Sequence, residues 1–463
     1  MFKKTLLIAT LLCAATATAQ TATTANAAQV PLSLDECIRI ALNDNPTIKV
    51  NDMEIERVDY AKKEVIGQLF PSVNFSAQYT RNLALQTIYI DAGAMGGGAA
   101  GGEEGGGGNN SKTGMKMGRD NNHNVGFSAS IPIFVPALWK SIKLSDNQIL
   151  QNLEASRANK LSLVNQVKNA YYALLLAKDT KKVIEQNHST AQFNADVYKR
   201  MFELGTASEY DVLRANVAVT NLEPSILEAE NSIKQLELQL KVLMGMDATA
   251  DIEAVQSLDE FKGAMYDRAI MADTSLVYNT SLKSLDLQTD YLKKALDVTK
   301  ASWLPTITGS GNYMWASMSN GSPFKNFMWN GVSSVGLTLA WPIFQGGQRY
   351  YKQKQAEVAV REMSWQRENL ERSLHTQVQT QIDNLNKSIK QIESNNAGVE
   401  QATKASEIMQ QSFKIGAASF IQLRDTEDAL MNARLSYYQA IYNYLVADSN
   451  LEYVLGNTEY VAQ

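Results

Sequence analysis

Four landmarks in the first half of this chain return in the second half, in the same order. Phe70-Pro71-Ser72-Val73 recurs as Leu304-Pro305-Thr306-Ile307, and Ile131-Pro132-Ile133-Phe134 as Trp341-Pro342-Ile343-Phe344. Glu203-Leu204-Gly205-Thr206-Ala207-Ser208 recurs as Lys414-Ile415-Gly416-Ala417-Ala418-Ser419, and Leu243-Met244-Gly245 as Val454-Leu455-Gly456. The offsets are 234, 210, 211 and 211. A constant step broken once is the mark of a duplicated unit with a single insertion. The break coincides with a glycine-rich stretch, 93–118, present only in the first half. Any fold for this chain must therefore hold two copies of one structural unit.

Each copy reads as the same series of elements. A helical segment (34–68, and 265–303) stops at a proline, which cannot continue a helix. Two short alternating segments follow, about 71–90 and 121–133 in the first copy and about 305–317 and 331–342 in the second. A very long helical stretch comes next, 137–203 or 348–414. A glycine-containing turn then reverses the chain, and a second helix (209–244, or 420–455) returns to a glycine, a favoured helix end. Pro224 is expected to kink the first returning helix.

The alternating segments have the period of strands with one apolar and one polar face. Val73, Phe75, Ala77 and Tyr79 alternate with Ser72, Asn74, Ser76 and Gln78; Val125, Phe127, Ala129 and Ile131 alternate with Asn124, Gly126, Ser128 and Ser130. In the second copy, Ile307, Tyr313 and Trp315 stand against Thr306, Thr308, Ser310 and Asn312, and Val335, Leu337, Leu339 and Trp341 against Ser334, Gly336 and Thr338. Each run is about 10 residues, the length of a tilted strand that crosses a bilayer. Phe70, Phe134, Trp303, Trp341 and Phe344 sit at their ends, where an interfacial girdle would lie. A spanning sheet must close on itself so that every backbone group is paired. Four strands cannot close, because single-chain barrels need at least about eight. Spanning strands in this chain would have to be pooled between several chains. A soluble sheet packed on helices is the alternative.

The long helices carry apolar residues at steps of three and four: Leu163, Val167, Ala170 and Leu174 in one, Leu374, Val378, Ile382 and Leu385 in the other. This is coiled-coil spacing. A helix of 67 residues would extend about 100 Å. Abundant Asn, Gln, Ser and Lys between those positions suit helices wetted on one side, as in a hollow cylinder, although an ordinary antiparallel coiled coil has the same pattern.

The N-terminus reads as an export signal over 1–19. Lys3 and Lys4 precede an apolar stretch, and Ala17-Thr18-Ala19 supplies small residues for cleavage before Gln20. Lipidation at Cys13 is disfavoured by Leu12, which stands where a small residue is needed. Loss of the signal leaves Cys37 alone, so no internal disulfide forms, and Cys37 is expected to pack as a small hydrophobe.

Several functions are excluded or weakened by composition. The net charge of -5 carries no basic excess for nucleic acid. His123, His188 and His375 are scattered, with no zinc spacing. No Gly-x-Ser-x-Gly elbow is present, and the glycine-rich insert lacks the Gly-Lys-Ser/Thr ending of a phosphate loop. Neither a cofactor nor a metal is expected, and the chain does not read as an enzyme.

The ordered set of signal, duplicated helix-strand-strand-hairpin units and the Gly-x-x-Ser-x-x-Asp-x-Leu turn at Gly205 to Leu213 resembles the TolC-like outer-membrane efflux family. The opening Leu32-Ser33-Leu34-Asp35-Glu36-Cys37-Ile38-Arg39-Ile40-Ala41-Leu42 with Asn45-Pro46 is similar to that family's usual start. The resemblance spans essentially the whole mature chain. It implies a mainly α fold with a membrane β-barrel part: a homotrimer in the outer membrane of a Gram-negative bacterium, sharing a twelve-stranded barrel above a periplasmic α-barrel. On this reading 20–245 and 264–456 are the two repeats, 246–263 an equatorial segment and 457–463 a tail. The implied partners are a periplasmic adaptor, an inner-membrane pump and outer-membrane lipid, and the implied function is passive exit of substrates in efflux or type I secretion. A soluble periplasmic coiled-coil adaptor or scaffold is the competing function, disfavoured by the paired strands in both halves.

The hairpin tips carry the remaining expectations. Ser208 with Asp211, and Ser419 with Gln422, fit capping boxes, and Gly205 and Gly416 permit the reversals. By resemblance these tips also dock the adaptor and hold the periplasmic gate. Family members often carry acidic residues six and nine positions after the second tip glycine, here Gln422 and Asp425; Asp211 and Arg214 are the first-half equivalents. Three copies of Asp425 would form an acidic ring. Gln422 departs from the family pattern, as does Ala418 where an arginine is common.

Overall fold

A computed structural model describes residues 30–91, 112–264, 274–322 and 328–461. The signal segment 1–19 with Cys13, most of the glycine-rich insert and 265–273 lie outside the described residues. The elements are β1 (Val30–Leu32), α1 (Leu34–Asp44), α2 (Pro46–Gly67), β2 (Ser72–Arg81), β3 (Gln86–Asp91), β4 (Lys112–Met117), β5 (Asn121–Phe134), α3 (Pro136–Glu203), α4 (Glu209–Thr220) and α5 (Glu223–Met244). They continue with β6 (Ile252–Ala254), a 3-10 helix (Leu258–Ala264), α6 (Thr280–Ala301), β7 (Thr306–Ser319), β8 (Trp329–Ala340), α7 (Gln348–Lys414) and α8 (Phe420–Leu455).

Several boundaries differ from the sequence reading. The helix expected over 34–68 is two helices. Asn45 is extended at φ -61°, ψ 125°, as the residue before a proline is driven to be, and Pro46 starts α2, where its missing N–H costs nothing. Of the segment expected to be helical over 265–303, residues 265–273 lie outside the described residues, 274–279 are not helical, and α6 starts at Thr280, where the Asn279 side chain caps it by accepting from the Leu282 N–H. Pro224 accompanies a full break between α4 and α5, whereas α8 runs unbroken. The segment read as one strand over about 71–90 is two strands separated by a turn. The flanks of the insert also pair, β3 with β4, so 112–117 forms one strand of a two-stranded ribbon.

The described chain divides into two compact units, and each draws on both halves of the duplication. The first lies within Met1–Asn45, Gln166–Ile270 and Lys387–Val446. Here β1 and β6 pair in parallel, and Ser33 and Glu36 form a capping box that starts α1. That box is the physical content of the Ser-Leu-Asp-Glu opening. Cys37, Ile38, Val167, Tyr171, Leu174 and Leu258 are among the buried core residues. The Tyr171 hydroxyl reaches the Leu32 carbonyl at 3.1 Å. Asp179 caps the 3-10 helix by accepting from the Leu258 N–H at 3.1 Å. Burial lifts its carboxyl above the ordinary range, opposed by the Leu258 and Ser257 hydrogen bonds.

The second unit comprises Pro46–Asn165, Met271–Asn386 and Ala447–Gln463. Its centre is a four-stranded antiparallel sheet of order β2-β5-β7-β8. Pro132 lies in the central strand β5, where it cannot donate to the ladder. The register slips between Pro132 and Phe134, a bulge at the strand end nearest α3. On α3, Arg157 reaches the carbonyls of Tyr278 and Gly456 at 3.2 and 2.9 Å. No helix among the described residues is long and apolar enough to cross a membrane.

Candidate functional site

The register sorts the sheet into two faces. Phe75 stands opposite Phe127, and Phe127 opposite Tyr313; Ala77, Val125 and Trp315 form the next row, and Ala129, Gly311 and Val335 another. The alternate rows are polar, as in Asn74, Ser128, Asn312 and Ser334. Every position of β2 and β8 is exposed. Val335 is 93% and Leu337 75% exposed. An apolar face this open is not a protein surface at ease in water. Within the sheet, β2 and β8 each have one unpaired edge, so the sheet is an open strip with neighbours to find on both sides.

The five aromatics expected at the strand ends, Phe70, Phe134, Trp303, Trp341 and Phe344, are all exposed. Trp341 and Trp303 come together: the Trp341 indole N–H donates to the Trp303 carbonyl at 3.2 Å. The Arg349 guanidinium lies 4.6 Å from the centre of the Trp303 ring and donates to the Ser302 and Pro342 carbonyls. Arg349 thus ties the end of α6, the chain after β8 and the start of α7 into one knot. Sequence reading missed it, since a lone arginine after a Gly-Gly pair carries no pattern.

The hairpin tips are built as their sequences dictate. Gly205 and Gly416 both take φ +75°, a left-handed conformation that suits glycine. The Ser208 hydroxyl accepts from the Asp211 N–H, and the Asp211 carboxylate accepts from the Ser208 N–H. Ser419 and Gln422 repeat the exchange, with the Ser419 N–H reaching Gln422 Oε1 at 2.9 Å. Asp211 and Gln422 are therefore turned back onto their own helix starts. Asp425 and Arg214 are exposed, and among the described residues neither makes an ion pair. The tips also expose Leu204, Tyr210, Leu213 and Ile415. Above them, Tyr198 packs against Phe420 with ring centres 5.0 Å apart and against Phe413 at 5.6 Å. These rings join Ala191, Ala215, Val219 and Leu222 in a small core.

One pair of contacts repeats with the duplication. Asn45 Nδ2 donates to the Leu243 carbonyl at 2.8 Å, and Asn279 Nδ2 to the Val454 carbonyl at 2.6 Å. In each copy the glycine ending the returning helix, Gly245 or Gly456, sits hard against the backbone just before the next helix. Asn45 and Asn279 are 234 residues apart and Leu243 and Val454 are 211 apart, two of the offsets found among the landmarks. That coincidence is the signal by which sequence reading could have found these clasps. Buried Cys37 has its thiol pushed up to about 12 by desolvation, so it is a packed neutral group.

The model of the family described as "Outer membrane efflux protein" matches residues 37–246 and 272–457. The outer membrane protein TolC of Vibrio cholerae is 22% identical over 346 residues, 72% of this chain and 76% of that protein. The alkaline protease secretion protein AprF of Pseudomonas aeruginosa is 23% identical over 351 residues, 74% of this chain and 71% of that protein. Among solved structures, the Campylobacter jejuni CmeC outer membrane channel superposes with a TM-score of 0.70 at 16% identity, covering 91% of this chain and 85% of that one. A membrane protein from Pseudomonas aeruginosa gives 0.71 at 15% identity, covering 95% and 94%.

Proposed function

We infer the working form of this chain from one premise: it belongs to the outer membrane efflux protein family, a family of channels and not of enzymes, and it is an exit duct of the Gram-negative outer membrane. The duct works as a homotrimer. Three open strips with the order β2-β5-β7-β8 close into one twelve-stranded barrel, β8 of one protomer meeting β2 of the next. The observation that carries this reading is the exposed apolar face of a sheet whose two outer strands each keep a free edge. Closure pairs those edges, and lipid covers the apolar face.

The exposed aromatics at the strand ends would sit at the membrane interface, with Trp303 and Trp341 held by the Arg349 knot. A periplasmic adaptor would dock on the tips around Gly205, Ser208, Gly416 and Ser419, where apolar side chains stand exposed. An inner-membrane pump would supply the energy, since nothing in the duct reads as an energy-converting site. Asp425 is the tip carboxylate best placed to form an acidic ring, because it is exposed while Asp211 and Gln422 are engaged in caps. Arg214 would be the opposing charge on the first hairpin. Cargo is set by the pump: one relative is named for secretion of a protease and another for efflux of toluene.

Detergent-extracted protein, run with and without heating, tests the assembly. A roughly threefold mass that collapses to monomer only on heating is expected. A monomer released by salt washing would overturn the shared barrel and favour the soluble scaffold. For the gate, Asp425→Asn in a planar bilayer is expected to reduce cation over anion selectivity; unchanged selectivity removes Asp425 from the ring.

A further inference from the structure

Glu427 on α8 is 6% exposed, and its carboxylate makes no ion pair among the described residues. Both oxygens accept from one neutral group, Asn194 Nδ2 on α3, at 3.1 and 3.2 Å. Buried carboxylates are ordinarily paired with a cation, so this one is anomalous. The cations within reach are spent elsewhere: Arg424 bonds Asp428 at 2.9 Å, and Arg434 bonds Gln186 at 2.8 Å. A cavity of about 60 Å³ adjoins Glu427. Gln186, Asn187 and Thr190 of α3 and Ser406 and Gln410 of α7 line it with neutral polar groups, and Arg434 of α8 is its other charge. That is room for a few waters with several polar partners, so a proton can reach and leave the carboxyl.

The pair breaks the duplication. A step of 211 carries Asn194 to Ala405 and Glu427 back to Asn216, so the arrangement exists once per chain. It joins the outgoing helix of the first hairpin to the returning helix of the second, a few turns from both tips. We propose that Glu427 and Asn194 form a proton-sensitive tie between the two hairpins, one that acid tightens and alkali loosens. The direction follows from linkage. Burial raises the Glu427 carboxyl above its ordinary range, against the Asn194 hydrogen bond and Arg424, with Asp428 adding to the rise. The packed state therefore holds its proton more firmly than a solvated carboxyl does. Packing is fully favoured below the ordinary carboxylate value, and that advantage is lost as pH rises through the displaced value, when a charge with no ion-pair partner must stay buried. Each unit of displacement is worth about a tenfold change in the equilibrium between packed and separated helices.

This inference rests on the duct reading in one respect: opening must separate α3 from α8. The test uses the purified full-length protein from pH 5 to 8.5, with two readouts. Hydrogen exchange of the amides over 420–434, corrected for the intrinsic pH dependence, is expected to accelerate toward high pH, about tenfold for each unit by which the carboxyl is displaced. Glu427→Gln is expected to exchange slowly with no pH response, and Asn194→Leu to exchange faster at neutral pH. Conductance in a planar bilayer is expected to rise over the same range and to lose that response in Glu427→Gln. Exchange that is flat in the native protein, or that keeps its slope in Glu427→Gln, overturns the tie. Exchange that responds in protein forming no channel supports the tie and overturns the duct reading.

Discussion

The side-chain amide of Asn279 lies 2.6 Å from the carbonyl oxygen of Val454, so the residue that caps the start of α6 also ties down the end of α8. Asn45 does the same for the end of α5. Each asparagine closes one copy of the duplicated unit by joining the end of its last helix to the chain near its first. Replacement by alanine leaves a helix-terminal carbonyl without its partner. Asn279→Ala and Asn45→Ala are each expected to cost about 1–3 kcal/mol. Gly245→Ala is expected to be worse than either: a Cβ there would lie 2.7 Å from the Asp44 carbonyl oxygen, at a backbone φ of +70°. Thermal unfolding of the detergent-extracted protein measures all three.

The two faces of the sheet are predicted to tolerate charge differently. Leu337→Lys places an ammonium on the apolar face and is expected to cost about 2–4 kcal/mol if that position meets the middle of the bilayer. The heat-sensitive oligomer on gels should fall accordingly. Ser334→Lys, on the polar face of the same strand, is expected to leave the oligomer intact. Equal effects of the two would mean that lipid does not cover the apolar face.

Loss of either tip cap is expected to fray the returning helix. Ser208→Ala and Ser419→Ala should each cost about 1 kcal/mol, and threonine should restore most of it. The measurement is amide exchange in the first turns of α4 and α8. The effect should stay local, since both serines are exposed.

The Cys37 thiol is expected to resist maleimide in the folded protein and to react on unfolding, because the thiolate is the nucleophile and burial holds the group neutral. A thiol raised to about 12 when folded, against about 8.5 when unfolded, stabilises the fold fully below the lower value. That contribution fades as pH rises from there toward the upper one, so melting temperature should decline on the alkaline side. Cys37→Ala should show less of that decline. Rapid labelling of native protein at neutral pH would overturn the assignment.

Much of this architecture was legible in the sequence because its signals are local and periodic. Alternation over two residues marked the strands, steps of three and four marked α3 and α7, and glycine with a downstream serine marked both tips. The duplication supplied what periodicity could not, by requiring every element twice. The paired ribbon of β3 and β4 was not legible, since its strands flank a long glycine-rich insert and lack a clear alternation. Nor was the split between α1 and α2 anticipated, although Pro46 carried the cue.

By itself the sequence determined the duplicated unit, the two-faced strands, the long helices and the caps at their turns, because each depends on residues within a few positions of one another. Only the tertiary structure decided which partners meet. It brought Asn45 to Leu243, Trp303 to Arg349, and Glu427 to Asn194, pairs separated by 198, 46 and 233 residues. Such contacts depend on where the chain has already folded, and no local preference records that. It also left the sheet with two free edges and an uncovered apolar face, the condition on which the proposal of a shared barrel rests.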